Sequence, residues 1–207
     1  MKNIYIKIYD SVSKNKIDLL YLLIIIFLSL FTRLFLINTI PVNITGDESW
    51  DLSHVYRIVF GNITPMTLLG DGSVFAIVFY PVAYLIKLFG ADNSILFLRL
   101  NIIFYSSISL IAFYFILKTN TSKIVAFIFT ILLSANYVFL NFSRTAWINM
   151  MSVFSGLFLI LFVEKAIKKK KNIWYAATGI FGGISFYGYH YGRILVIFIT
   201  LYLITNL

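Results

Sequence analysis

The sequence predicts an all-α fold, a polytopic transmembrane bundle of about six spans with surface helices in its first outer loop. Three observations predict it. Apolar residues make up 60% of the 207 residues, charged residues only 12%, and the mean hydropathy is +0.91. A soluble domain carries about 25% charge. The longer apolar runs approach the roughly 20 residues that cross a bilayer as a helix. Finally, 11 of the 17 basic residues lie in three short clusters between such runs. A net charge of +9 would suggest nucleic acid in a soluble chain, but basic loops between apolar runs fit the positive-inside rule instead. The composition excludes a disordered tail and a disulfide scaffold. The absence of cysteine removes thiolate metal sites, redox pairs and cysteine nucleophiles.

The first element is Ile17–Ile40, preceded by Lys2, Lys7, Lys14 and Lys16. No small-residue cleavage site follows it, so it reads as an uncleaved span with a cytoplasmic N-terminus. Asp18 sits at its inner edge, and Arg33 is expected to snorkel toward the outer headgroups.

Residues 41–94 form an extracytoplasmic loop that holds all three prolines and five of the eight acids. Within it Asp47–Phe60 reads as an amphipathic helix bounded by Gly46 and Gly61, with Leu52, Val55, Tyr56 and Val59 at helical spacing. The apolar run Ser73–Gly90 is expected to lie in the outer interface without crossing. Were it a span, Lys118, Lys123 and Lys168–Lys171 would all fall outside, against the charge rule.

The remaining spans alternate. Ile95–Leu117 runs inward to a cytoplasmic turn at Lys118–Lys123, and Ile124–Phe142 runs outward to a short loop, Ser143–Asn149. Met150–Val163 returns to the Lys165–Lys171 cluster, and Ile173–Tyr189 runs out to a tight turn at His190–Arg193. A sixth span starts at Ile194. There is no internal repeat and no soluble domain. The sequons at Asn43, Asn62, Asn120 and Asn141 read as chance in an Asn-rich chain.

Three groups carry candidate chemistry. Gly46-Asp47-Glu48-Ser49-Trp50 places adjacent carboxylates at the start of a membrane-surface helix. One can accept a proton from a hydroxyl while the other orients that acceptor or binds a cation. The competing reading is a helix cap with acids favoured by the helix dipole. The second group is Arg99, Arg144 and Arg193, with His190 nearby, at three outer span ends. Arginine suits paired hydrogen bonding to phosphate, and headgroup anchoring is the alternative. The third is the aromatic, glycine-rich stretch Gly179–Arg193, most of which close helix packing and the interfacial aromatic belt explain. No P-loop, dinucleotide fingerprint, His-x-Glu motif or serine elbow occurs, so no nucleotide site is supported.

This order of features resembles the GT-C membrane glycosyltransferases, closest to bacterial relatives of dolichyl-phosphate-mannose protein mannosyltransferase and lipid A aminoarabinose transferase. The resemblance rests on Asp47-Glu48 after the first span, Leu98-Arg99-Leu100 at the start of the second, Phe142-Ser143-Arg144, and Tyr189-His190-Tyr191-Gly192-Arg193. It runs from about Ile17 onward. It implies transfer of a sugar from a polyprenyl-phosphate donor to an acceptor hydroxyl on the extracytoplasmic face of a bacterial or archaeal cell membrane. It implies Asp47 and Glu48 as catalytic residues, and Arg99, Arg144, His190 and Arg193 near the lipid phosphate. The expected partners are that donor and membrane lipid, with no nucleic acid. The resemblance leaves the cofactor open, a divalent cation included, with no metal ligands assigned.

This chain departs from the resemblance in three places. Asn149 stands where many members have an acid. The His/Pro-rich patch before the second surface helix is missing around Gly72–Val78. Members are usually longer, so residues 1–207 are expected to be a single membrane module from the N-terminal part of a longer protein. The rival function is a non-enzymatic transporter or lipid-carrier-binding subunit. Transporters place ionisable groups near the bilayer midplane, whereas spans two to six have essentially none.

Overall fold

The computed structural model describes the backbone of residues 2–61, 63–69 and 74–206, with side chains from Lys16 to Thr205. Asn62, Gly72 and Ser73, named above, lie outside these residues. The described chain is a helical bundle whose long members are α1 (Lys2–Leu34), α4 (Ser94–Asn120) and α7 (Met150–Lys169). By length and composition Lys16–Leu34, Ser94–Asn120 and Met150–Lys169 can cross a membrane. A bent pair, α5 (Lys123–Ala135) and α6 (Tyr137–Arg144), brings the number to four if the two halves form one span. Among the described residues three or four helices are thus long and apolar enough to cross, and the expected count of about six is not confirmed. Helices α8 (Asn172–Gly188) and α9 (His190–Asn206), of 17 residues each, do not add to that number.

Packing between the long helices rests on small residues. Ser106, Ser107, Ser109 and Ala112 of α4 are buried, and Ser29 of α1 shares a hydroxyl contact of 2.9 Å with Ser107. Small side chains let helix backbones approach where lipid gives no hydrophobic drive between helices. Outward-facing Phe27, Phe31, Phe129, Leu132, Ile197 and Phe198 are exposed, as lipid-facing side chains would be.

One end of the bundle is tied by charge. Asp18 accepts from Tyr114 Oη at 2.7 Å, Lys118 Nζ at 2.7 Å and Lys123 Nζ at 2.8 Å. At the same end Glu164 accepts from Thr119 Oγ1 at 2.7 Å and from Asn120 Nδ2 at 3.2 Å, and Lys168 donates to Asn120. The Lys118–Lys123 turn and the start of the Lys165–Lys171 cluster thus meet at the same end as Asp18.

The break between α5 and α6 has a local cause. The Asn136 side chain accepts from Val138 N and Phe139 N, starting a new helix at a bend of 56°. The bend corrects the expectation for Arg33. Instead of snorkelling, Arg33 is fully buried. It donates to Ser29 O at 3.2 Å and Ser134 Oγ at 3.3 Å, beneath the Phe139 ring at 5.2 Å. Phe139, on the first turn after the break, covers the guanidinium before it can reach a headgroup.

The loop after α1 folds as a layer over one end of the bundle. It contains α2 (Gly46–Val59), a two-residue antiparallel ladder of β1 (Leu68–Leu69) and β2 (Val74–Phe75), a 3-10 turn at Ala76–Phe79 and α3 (Tyr80–Phe89). With only 10 residues, α3 is too short to cross a bilayer. Its Val82, Ala83 and Ile86 are buried with Val78 and Phe79, so this segment rests on α2 and α4.

Because the chain has no cysteine, single cysteines report topology cleanly. With α3 outside the span count, cysteines at Thr119 and Asn172 should resist a membrane-impermeant thiol reagent in intact cells and react after permeabilisation. Labelling of both from outside would overturn the assignment.

Candidate active site

The site starts from the way α2 begins. Thr45 Oγ1 accepts from Glu48 N at 3.2 Å, and Glu48 Oε2 accepts from Thr45 N at 2.9 Å. This reciprocal capping box satisfies two donors at the helix start. Asp47 is therefore not the cap. It is exposed on the first turn, where a carboxylate is also favoured by the helix dipole.

Glu48 is fully buried, and its Oε1 meets Arg99 Nε at 2.7 Å. Arg99, 3% exposed, also donates to Glu48 Oε2 at 3.3 Å and to Ile37 O at 3.1 Å. The pair fastens the start of α2 to α4 and to the segment leaving α1. Such fork-shaped pairing fixes geometry as well as charge.

A cavity of about 410 Å³ opens beside Asp47. Its walls come from three distant stretches: Gly46, Asp47, Trp50 and Asp51 of α2; Trp147, Ile148 and Asn149 before α7; Tyr189 and His190 at the α8–α9 corner. The middle wall is a tight turn in which Ala146 takes φ of 51° and Trp147 lies over Phe142 at 3.9 Å. The corner is not the expected four-residue loop, because His190–Arg193 already forms the first turn of α9 and only extended Tyr189 separates the helices. A Cβ on Gly192 would lie 2.0 Å from Ser185 O, so this corner closes only over glycine.

Of the sequence candidates, Asp47 and His190 line the cavity, while Glu48 lies behind it in its ion pair. Arg144 serves α1 instead. Its Nη1 donates to Thr32 O at 2.6 Å, and its Nη2 donates to Phe35 O at 2.8 Å and Ile40 O at 2.7 Å. Arg193 lies over the Phe186 ring at 5.8 Å and donates from Nε to Phe186 O at 3.1 Å. Arg99, Arg144 and Arg193 are not among the cavity's lining residues.

The structure adds Trp50, Asp51, Trp147, Asn149 and Tyr189 to the cavity. Asp51 could have been found from its spacing, four residues after Asp47 on one helix face. Burial, then the Asp47 and Glu48 carboxylates, push the Asp51 carboxyl up to about 8. Burial and then Arg57 hold His54, stacked edge-on against Trp50 at 4.1 Å, below the usual histidine range. Burial and the neighbouring Tyr191 raise the Tyr189 phenol, a hydrogen bond with Asn149 opposes this, and Asp47 and Asp51 add to the rise. Among the described residues no group of three His, Cys, Asp or Glu could hold a metal ion.

The Asp51 shift has a stability consequence. Unfolded Asp titrates near 3.9. Between that value and the folded value of about 8 the native state binds the extra proton, so stability falls as pH rises through this window. Asp51→Asn is therefore expected to raise the melting temperature at about pH 8 and to change it little at about pH 4. A melting-temperature difference independent of pH would contradict the assignment.

A family model described as dolichyl-phosphate-mannose-protein mannosyltransferase matches residues 76–207, nearly two thirds of the chain. The match takes in the Trp147–Asn149 turn and the Tyr189–His190 corner, while α2 precedes it. No curated protein and no solved structure matches the chain.

Proposed function

The chain belongs to the dolichyl-phosphate-mannose-protein mannosyltransferase family, and on that premise we propose that it transfers a sugar from a polyprenyl-phosphate donor to an acceptor hydroxyl. Transfer occurs at the extracytoplasmic surface of an integral membrane protein. One observation carries the reading: Asp47 opens into the cavity while Thr45 and Glu48 perform the capping that would otherwise explain it.

Asp47 acts as the general base. It takes the acceptor proton as the acceptor oxygen attacks the anomeric carbon, and the anomeric C–O bond breaks with its electron pair on the phosphate. Glu48 does not touch the acceptor in this reading. Held by Arg99, it positions Asp47 by fixing the first turn of α2. Trp50 and Trp147 offer flat apolar faces to a sugar ring, and His190 offers a hydrogen-bonding group. Arg193, three residues beyond His190 on α9, is the cation we assign to the donor phosphate, which it would meet by turning from Phe186. The anionic leaving group gives that guanidinium its purpose, since charge develops on phosphate in the transition state.

The test uses the protein in lipid vesicles with a panel of polyprenyl-phosphate sugars labelled in the sugar. Passage of label to a hydroxyl acceptor, with release of polyprenyl phosphate, is the expected result. Carrier that binds or crosses the bilayer with its sugar still attached would replace this reading with that of a carrier-binding subunit or transporter.

A further inference from the structure

Asp51 is a buried group on the cavity to which the transfer reaction gives no task. It is 1% exposed, and its Oδ2 has no hydrogen-bond partner. Asn149, on another wall of the same cavity, is 8% exposed with Oδ1 also unpartnered. Buried polar atoms are almost always paired, so two unpaired ones among the lining residues of one cavity are groups that a bound ligand can pair.

The charged surroundings are one-sided. On α2 itself Asp51 has Asp47, Glu48, His54 and Arg57. From α4 comes Arg99, whose guanidinium is held by Glu48, and from the α8–α9 corner come Tyr189 and His190. Of the titratable groups on α3, Tyr80 donates to Ile63 O, while Tyr84 and Lys87 are exposed. Among the described residues no ion pair includes Asp51.

We propose that Asp51 is a second substrate-holding carboxyl of this cavity, donating its O–H to an oxygen of the transferred sugar while Asp47 takes the acceptor proton. The proposal rests on the transferase reading above. Asp51 keeps its proton through the cycle: the acceptor proton ends on Asp47 and the leaving electron pair on phosphate. Its burial close to the Asp47 and Glu48 carboxylates favours the neutral form, and its raised titration near 8 agrees with that. Asn149 Oδ1 accepts from a sugar hydroxyl beside it.

The experiment has two arms, both on the protein in vesicles. The first is an infrared pH titration of wild type against Asp51→Asn. A protonated-carboxyl band is expected at about pH 7 in wild type, absent in the variant, and lost from wild type as pH passes about 8. The second is the pH profile of KM for a polyprenyl-phosphate sugar. Wild-type KM should rise about tenfold or more between about pH 7 and pH 10, whereas Asp51→Asn, whose amide still donates and never ionises, should lack that rise.

Absence of the band at pH 7 overturns the proposal, and so does a variant that keeps the alkaline rise. A purely structural Asp51 would leave that rise unmoved. If Asp51→Asn does not fold, the wild-type carboxyl titration alone decides. A protein that shows the band but transfers no sugar sinks the transferase reading and the sugar-holding role, while leaving the protonated Asp51 established.

Discussion

Asp47→Asn is expected to lower sugar transfer by about 10²–10⁴-fold, the usual contribution of a general base, while folding and membrane insertion survive. The substitution preserves size and removes proton acceptance. The usual objection is that an acid at a helix start serves as a cap, and Asn caps about as well as Asp, which would make the change nearly silent. Here the capping bonds belong to Thr45 and Glu48, so a silent Asp47→Asn would leave Asp47 without a role in either account. The measurement is transfer from a polyprenyl-phosphate donor at matched protein levels. Near-wild-type turnover would remove Asp47 from the reaction.

Arg99→Met is expected to destabilise the protein by about 3–5 kcal/mol, the cost of leaving one partner of a buried ion pair unpaired. Glu48 is fully buried, and its remaining hydrogen bond, from Thr45 N, does not neutralise it. Changing both residues, Glu48→Gln with Arg99→Met, should cost less than the sum of the single changes, because no charge is then stranded. Detergent-solubilised thermal unfolding, read as a double-mutant cycle, checks this. Additive losses would mean that each residue acts through other contacts, such as Arg99 to Ile37 O. Transfer should fall with the single substitutions even in molecules that remain folded, since Glu48 and Arg99 hold the turn that presents Asp47.

Much of this arrangement was legible in the residues. Gly46 marked the start of α2, and the helical spacing of Val55 gave its apolar side. The lysine clusters and Asp18 foretold which helix ends meet. The cap was readable too, as Thr45 three residues before Glu48, but the adjacent Asp47 drew the capping argument to itself. What lay out of reach was long-range. Nothing near Arg33 in sequence says that a break at Asn136, about a hundred residues later, will fold Phe139 over it. A basic residue at a span end has the same local pattern whether it reaches headgroups or is covered. Arg144 shows the same limit: its partners are carbonyls in the last turn of α1 and in the segment just after it, so its sequence neighbours carry no sign of them. Asp51 is intermediate, for its spacing from Asp47 is local but its burial is tertiary.

The three separated stretches that wall the cavity also set a schedule. Asp47 and His190 are 143 residues apart, so at about 5–20 residues per second the helix carrying the acid waits on the order of ten seconds for the corner that completes the cavity. Until then Asp47 stands at the membrane surface with no Tyr189 or His190 beside it. On the transferase reading a nascent chain therefore carries its general base long before the cavity for a sugar is complete, and chains stalled before the corner are expected to transfer nothing.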